Sequence, residues 1–183
     1  MSKKFRLDLH THPIEALKAE RNIKGIRDIT VDVAGRIVKA VKDAGLNGIA
    51  ITERNNFNHG WVAALQILDH FKSDNIVILP GSEIEYGNQH FLQLYIPDYY
   101  RRRIPYFKGK DWFVILAQPG LSQPLDSALF SKVELDAVEN HSLRGDFTAA
   151  AAIAVERNIP TIQTSDAHTL EEIGKSYIEV DFA

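Results

Sequence analysis

Two pairs of ligand-type side chains on alternate residues constrain this 183-residue chain most: His10-Thr11-His12 near the start and Asp166-Ala167-His168 near the end. Each pair closes an apolar run, residues 5–9 before the first and 159–163 before the second. In an extended strand, residues i and i+2 face the same way. Both pairs can therefore aim at one point if the two strands are neighbours with their carboxyl ends together. Three histidines and an aspartate so placed suit a divalent metal ion.

The chain has no cysteine, so any metal must rest on nitrogen and oxygen ligands, and thiol nucleophiles, disulfides and iron–sulfur clusters are excluded. A formal net charge of −3 gives no general attraction to nucleic acid or anionic membrane. The opening Met-Ser-Lys-Lys leads into a strand-like run rather than an apolar signal or membrane segment, so a cytoplasmic location is expected. Length and the lack of repeats or linkers predict a single domain over 1–183.

Short apolar runs alternate with helical spacings. Strands are expected at 5–9, 48–52, 76–79 (ending at Pro80-Gly81), 90–96, 112–117, 135–139, 160–164 and 176–180. Helices are expected at 33–44, at 148–157, and on a stripe of Trp61, Leu65, Leu68 and Phe71, with a helical turn at 170–173. Residues 13–32 read as a long loop. Strand–helix alternation predicts an α/β fold with mostly parallel strands. Polar residues follow the strands at Glu53, Glu83, Gln118, Glu139 and Asp166. In closed α/β barrels that is the face where chemistry is built, and no glycine-rich phosphate loop follows the first strand.

In strand order the chain presents His10-Thr11-His12, Thr52-Glu53-Arg54, Gly81-Ser82-Glu83, His90, Gln118-Pro119-Gly120, Glu139-Asn140-His141 and Ser165-Asp166-Ala167-His168. This order resembles the polymerase and histidinol phosphatase (PHP) family of metal-dependent phosphoesterases, from His10 to His168. The resemblance implies a distorted (β/α)7 TIM-like barrel of compact PHP type with up to three divalent ions, commonly Zn, Mn or Fe. By position it implies a first metal site of His10, His12, Glu83 and Asp166, with His90 as a ligand of a second. The chain also departs from the family. Where the family's HPG turn has histidine, Gln118 stands, and where its TDH motif stands, Thr52-Glu53-Arg54 is found. Arg is always charged and cannot ligate a cation, and Gln offers only a neutral carbonyl oxygen. One or two ions per chain are therefore expected.

Arg54 has two readings. It can stand in for a metal by clamping substrate phosphate, or it can pair with Glu53, Glu15 or Asp166 and keep the site neutral. His168 is a candidate general acid or base. Glu53, Gln118, Glu139 and Asn140 are expected to support ligands or substrate, Glu53 by orienting His12 or by bridging to Arg54. His59 and His141 read as loop residues and His70 as a helix surface residue. The run Tyr99-Tyr100-Arg101-Arg102-Arg103 reads as a solvated loop, with nucleic-acid contact or a place at the cleft as the functional alternatives. The expected function is hydrolysis of a phosphate ester on a phosphorylated small molecule or a nucleotide or nucleic-acid end. The alternative is a catalytically inactive PHP-like barrel serving as a binding subunit, as in protein subunits of ribonuclease P.

Overall fold

The computed structural model describes residues 3–21, 23–120 and 132–183. Strand β1 (Lys3–Thr11) leads to helices α1 (Pro13–Arg21) and α2 (Val31–Asp43), then β2 (Gly48–Ile51), α3 (Phe57–His70), β3 (Val77–Tyr86) and β4 (Gln89–Tyr95). Helix α4 (Asp98–Arg103), β5 (Trp112–Ala117), β6 (Ala137–His141), α5 (Ala150–Arg157), β7 (Thr161–Gln163) and β8 (Ile178–Phe182) follow.

The eight strands form one sheet in the order β7-β6-β5-β4-β3-β2-β1-β8. It curls into an α/β barrel that nearly closes. Strand β8 pairs antiparallel with the first half of β1. Past that pairing the far edge returns to β1, where Thr11 bridges Ala167 and the His12 amide donates to the Ala167 carbonyl at 2.8 Å. Six strands are parallel neighbours in two groups, β1-β2-β3 and β5-β6-β7. Strand β4 runs antiparallel between the groups. It descends from the barrel mouth, so its first residues, including His90, lie at the same end as the carboxyl termini of the parallel strands.

Inward side chains below the mouth are apolar: Leu7, Leu9, Ala50, Val77, Leu79, Leu92, Ile115 and Ile162 form one buried cluster. Outside, α1, α2 and α3 pack on Ile49, Ile51 and Ile78, and α5 packs beside Phe91, Leu116 and Val138. No helix among the described residues is long and apolar enough to cross a membrane.

The structure corrects several expectations. Residues 13–21 are helical rather than loop. Pro13 opens α1, where its missing N–H costs nothing, and Ile14 and Leu17 are fully buried at helical spacing. Strand β3 does not end at Pro80-Gly81. It pairs with β2 as far as Pro80 and with β4 from Gly81 onward, so the proline sits where the ladder changes partner. On α3 the buried face is Gly60, Ala63, Ala64 and Ile67, while Trp61, Leu65 and Leu68 are 40–46% exposed. The helix lies so close to the sheet that a Cβ on Gly60 would come within 2.8 Å of the Ile51 carbonyl oxygen, so the small-residue face goes inward. Strand β7 is also less buried than expected, with Ile162 alone enclosed.

Helix α4 replaces the expected loop at 99–103 and lies away from the mouth. It follows the descending β4, and the Ala183 amide donates to the Arg103 carbonyl at 2.7 Å. Its cations are engaged locally: Arg101 with Asp98 and Asp111, Arg102 with Asp98, and Arg103 over the Tyr99 ring at 4.1 Å.

Candidate metal centre

Strand β1 carries a bulge where it reaches the mouth. Asp8 pairs with Ile49 and Thr11 with Ile51, so three steps on β1 match two on β2. Both partners pack on the outer helices. The extra residue re-aims the strand and sends His10 and His12 inward while Asp8 and Thr11 stay outside. Strand β6 has a second bulge between Glu139 and His141, which leaves Glu139 buried and Asn140 exposed.

His10, His12, Glu83 and Asp166 meet at the mouth. His10 Nε2 lies 3.3 Å from Asp166 Oδ1 and 3.9 Å from Glu83 Oε1. His12 Nε2 lies 3.4 Å from Asp166 Oδ1 and 3.5 Å from Glu83 Oε2. His168 Nε2 approaches the same Asp166 oxygen at 3.2 Å, and its ring stacks on His12 at 4.4 Å. His10 Nε2, both His12 ring nitrogens and Asp166 Oδ1 are buried without a hydrogen-bond partner. Buried polar atoms left unpaired are costly. Converging imidazole and carboxylate lone pairs are what a divalent cation satisfies, so this donor set fits a metal ion. Three overlapping groups are close enough to share one: His10/His12/Glu83, His12/Asp166/His168 and His12/Glu15/Glu53.

The surrounding bonds hold these atoms in place. Glu139 Oε1 accepts from His10 Nδ1 at 3.0 Å and also from the Thr164 hydroxyl. A proton fixed on Nδ1 leaves the Nε2 lone pair facing the centre. Gln118 Nε2 donates to Asp166 Oδ2 at 2.9 Å, and its backbone amide donates to Glu139 Oε2 at 3.1 Å. Glu83 is flanked by His90 Nδ1 at 2.8 Å from Oε1 and by Arg54 Nε at 3.0 Å from Oε2. Burial alone would raise the Glu83 carboxyl, but His10, His90 and His12 hold it well below the usual carboxylate range. Burial likewise pulls the His10 ring down, yet Glu139, Glu83 and Asp166 together hold it well above its ordinary value. For His12 burial prevails and the ring is lowered.

Arg54 therefore pairs with Glu83, not with Glu53, Glu15 or Asp166, because the segment that follows β2 bridges across to β3, Arg54 to Glu83. Glu53 neither hydrogen-bonds His12 nor bridges to Arg54. Its two oxygens accept from the Ile14 and Glu15 amides at 2.6 and 3.1 Å, filling donors that the first turn of α1 leaves free. Glu53→Ala should cost about 1–3 kcal/mol by orphaning those amides. Burial raises the Glu53 carboxyl to about 7 from 4.5. Between those values the unfolded chain releases the proton and the folded one keeps it, so this residue's contribution falls as pH rises. Urea unfolding of both proteins at pH 4.5 and 7.5 should show the gap between them narrowing at the higher pH.

Histidines 59, 70 and 141 stay outside the cluster. His59 is buried on α3 rather than in a loop, His70 ends α3, and His141 ends β6 as an exposed residue. Sequence reading missed Asp8, Thr164 and Arg144. Asp8 accepts from the Ser165 and Gly174 amides, each at 3.0 Å, and ties β1 to the segment carrying Asp166. Its place two residues before His10 was a visible signal. Arg144 donates to the Asp166 carbonyl and to Glu172, both at 2.6 Å, and no local pattern marks it.

The family model of the PHP-associated segment (PHP_C) matches residues 147–183, which include Asp166 and His168. No curated protein matches the chain by sequence. Solved structures resemble it in fold, among them the following three. A two-domain protein of Bacteroides vulgatus ATCC 8482, containing a predicted PHP-like metal-dependent phosphoesterase, matches with TM-score 0.59 and 19% identity. The match covers 92% of this chain and 53% of that one, so the chain corresponds to about half of that protein. PsfC from Pseudomonas syringae PB-5123 matches with TM-score 0.61 and 15% identity over 94% of this chain and 80% of that one. A predicted metal-dependent phosphoesterase of Bifidobacterium adolescentis ATCC 15703 matches with TM-score 0.61 and 14% identity, over 93% and 91% of the two chains. The chain thus shares the fold of these structures over most of its length, and its last segment, residues 147–183, matches the PHP-associated family model.

Proposed function

We propose that the chain is a metal-dependent phosphoesterase, hydrolysing a phosphate ester on a small phosphomonoester or a nucleotide or nucleic-acid end. The observation that carries this reading is the set of buried, unpartnered atoms on His10, His12 and Asp166, which face one another and the Glu83 carboxylate. Those four residues would hold a divalent ion (Zn, Mn or Fe), which polarises phosphoryl oxygens and lowers the pKa of a bound water. Glu139 keeps the proton on His10 Nδ1, and Gln118 keeps Asp166 turned toward the rings. Arg54 commits only Nε to Glu83 and is 53% exposed, which leaves its terminal nitrogens to bind phosphate oxygens in a two-pronged fashion. His168 sits partly exposed at the rim, with Nδ1 3.6 Å from Glu15 Oε2. There it can hold or deliver a proton for the departing oxygen. A cytoplasmic setting suits such an enzyme.

Elemental analysis of the purified protein beside a His10→Ala/Asp166→Ala variant tests the reading. Tightly bound metal present in the first and lost in the second, followed by turnover in a phosphate-ester screen, is the expected result. Absence of metal even after incubation with Mn or Zn would point to a non-catalytic binding barrel instead. The engaged arginines of α4 give an RNA-binding version of that alternative little support.

A further inference from the structure

We infer that this centre takes one divalent ion and that Gln118 and Arg54 are the side chains that close it to a second. The inference rests on the metal-dependent reading above and concerns how many ions the residues can hold.

All three ligand groups among the described residues include His12. A neutral imidazole offers one lone-pair nitrogen and keeps a proton on the other. His12 Nε2 faces Glu83 at 3.5 Å and Asp166 at 3.4 Å, so the first two groups share that one nitrogen and cannot each hold an ion of their own. The third would need the same ring to serve twice, together with a Glu53 carboxylate whose oxygens already accept α1 amides. His90 Nδ1 lies 2.8 Å from Glu83 Oε1, and His90 joins none of the three groups among the described residues.

A second cation sharing Glu83 or Asp166 would meet an N–H donor already bound to each carboxylate. Gln118 Nε2 donates to Asp166 Oδ2 at 2.9 Å. That side chain is aimed by its own backbone, which takes a left-handed conformation (φ 50°) and donates its amide to Glu139. Arg54 Nε donates to Glu83 Oε2 at 3.0 Å. A guanidinium has no lone pair to offer and carries permanent positive charge, so at Glu83 Oε2, the oxygen that also faces His12, it repels a second cation from this carboxylate. Arg54 supplies one unit of the positive charge that a second ion would bring.

Titration of metal-free protein with Mn2+, read by the electron paramagnetic resonance of unbound Mn2+ and by calorimetry, should give one equivalent per chain. Two equivalents would overturn the inference and leave the metal-dependent reading standing; none would overturn both. In Arg54→His/Gln118→His both donors become imidazoles, and histidine tolerates the left-handed backbone at 118 better than most residues. This variant should bind a second equivalent. If it has the wild-type circular dichroism spectrum and still binds one, the blocking role assigned to these two side chains is wrong.

Discussion

Glu83→Gln should abolish tight divalent-metal binding and, separately, destabilise the metal-free protein. Residues that merely support a ligand account for about 10–100-fold in metal affinity, so loss of a charged ligand should exceed about 100-fold. The second effect is decided by opposing contributions. Removing a buried carboxylate relieves its desolvation, whereas keeping it satisfies Arg54, His90 and His10. The carboxyl is held well below its ordinary range despite burial, so its partners outweigh its desolvation. Breaking such a buried charged pairing from one side costs about 3–5 kcal/mol. Arg54, being half exposed, recovers part of this through solvent, which places the expectation near the lower bound. Urea unfolding in excess chelator measures the stability effect, and Mn2+ titration measures the affinity. A metal-free variant more stable than wild type would mean that burial, not pairing, governs Glu83.

How far the site was legible before the structure varied with the range of the interaction involved. Alternation in His10-Thr11-His12 is local, and it put both rings on one face whichever strand paired with β1. The bulge that separates Asp8 from that face depends on the register against β2, which nothing within residues 5–12 encodes. Arg54 illustrates the same limit. Its charge ruled it out as a ligand, but its choice of Glu83 over nearby Glu53 follows from the bridge between the end of β2 and β3. On α3, hydrophobicity favoured Trp61, Leu65 and Leu68 as the inward stripe. The close approach to the sheet selected the small residues instead, and outside Trp61 stacks on Phe57 and meets Tyr95 edge-on. Size decided against hydrophobicity there, and one-dimensional periodicity does not weigh size. The antiparallel course of β4 was also hidden, because its alternation reads the same in either direction.

Gly48→Val should strongly destabilise the folded protein. Gly48 lies in a row between Leu7 on β1 and Val77 on β3. A Cβ there would fall 2.2 Å from the Val77 carbonyl oxygen and 2.5 Å from the Val77 Cβ. Neither neighbour is the far end of a flexible side chain, so the strands themselves must part. Ordinary overpacking costs about 1–3 kcal/mol, and a contact this short against backbone should exceed about 3 kcal/mol, a large share of the roughly 5–15 kcal/mol typical of a domain. Gly25→Ala is the matched control, since its Cβ would meet nothing within 4 Å. Urea midpoints should be near wild type for Gly25→Ala and strongly lowered for Gly48→Val. Any Gly48→Val protein that does fold should also bind Mn2+ weakly, because the β2–β3 ladder carries Arg54 and Glu83 to the mouth together. A wild-type midpoint for Gly48→Val would mean that β2 and β3 do not pair through Gly48 and Val77, and the register that brings Glu83 to His10 and His12 would have to be redrawn.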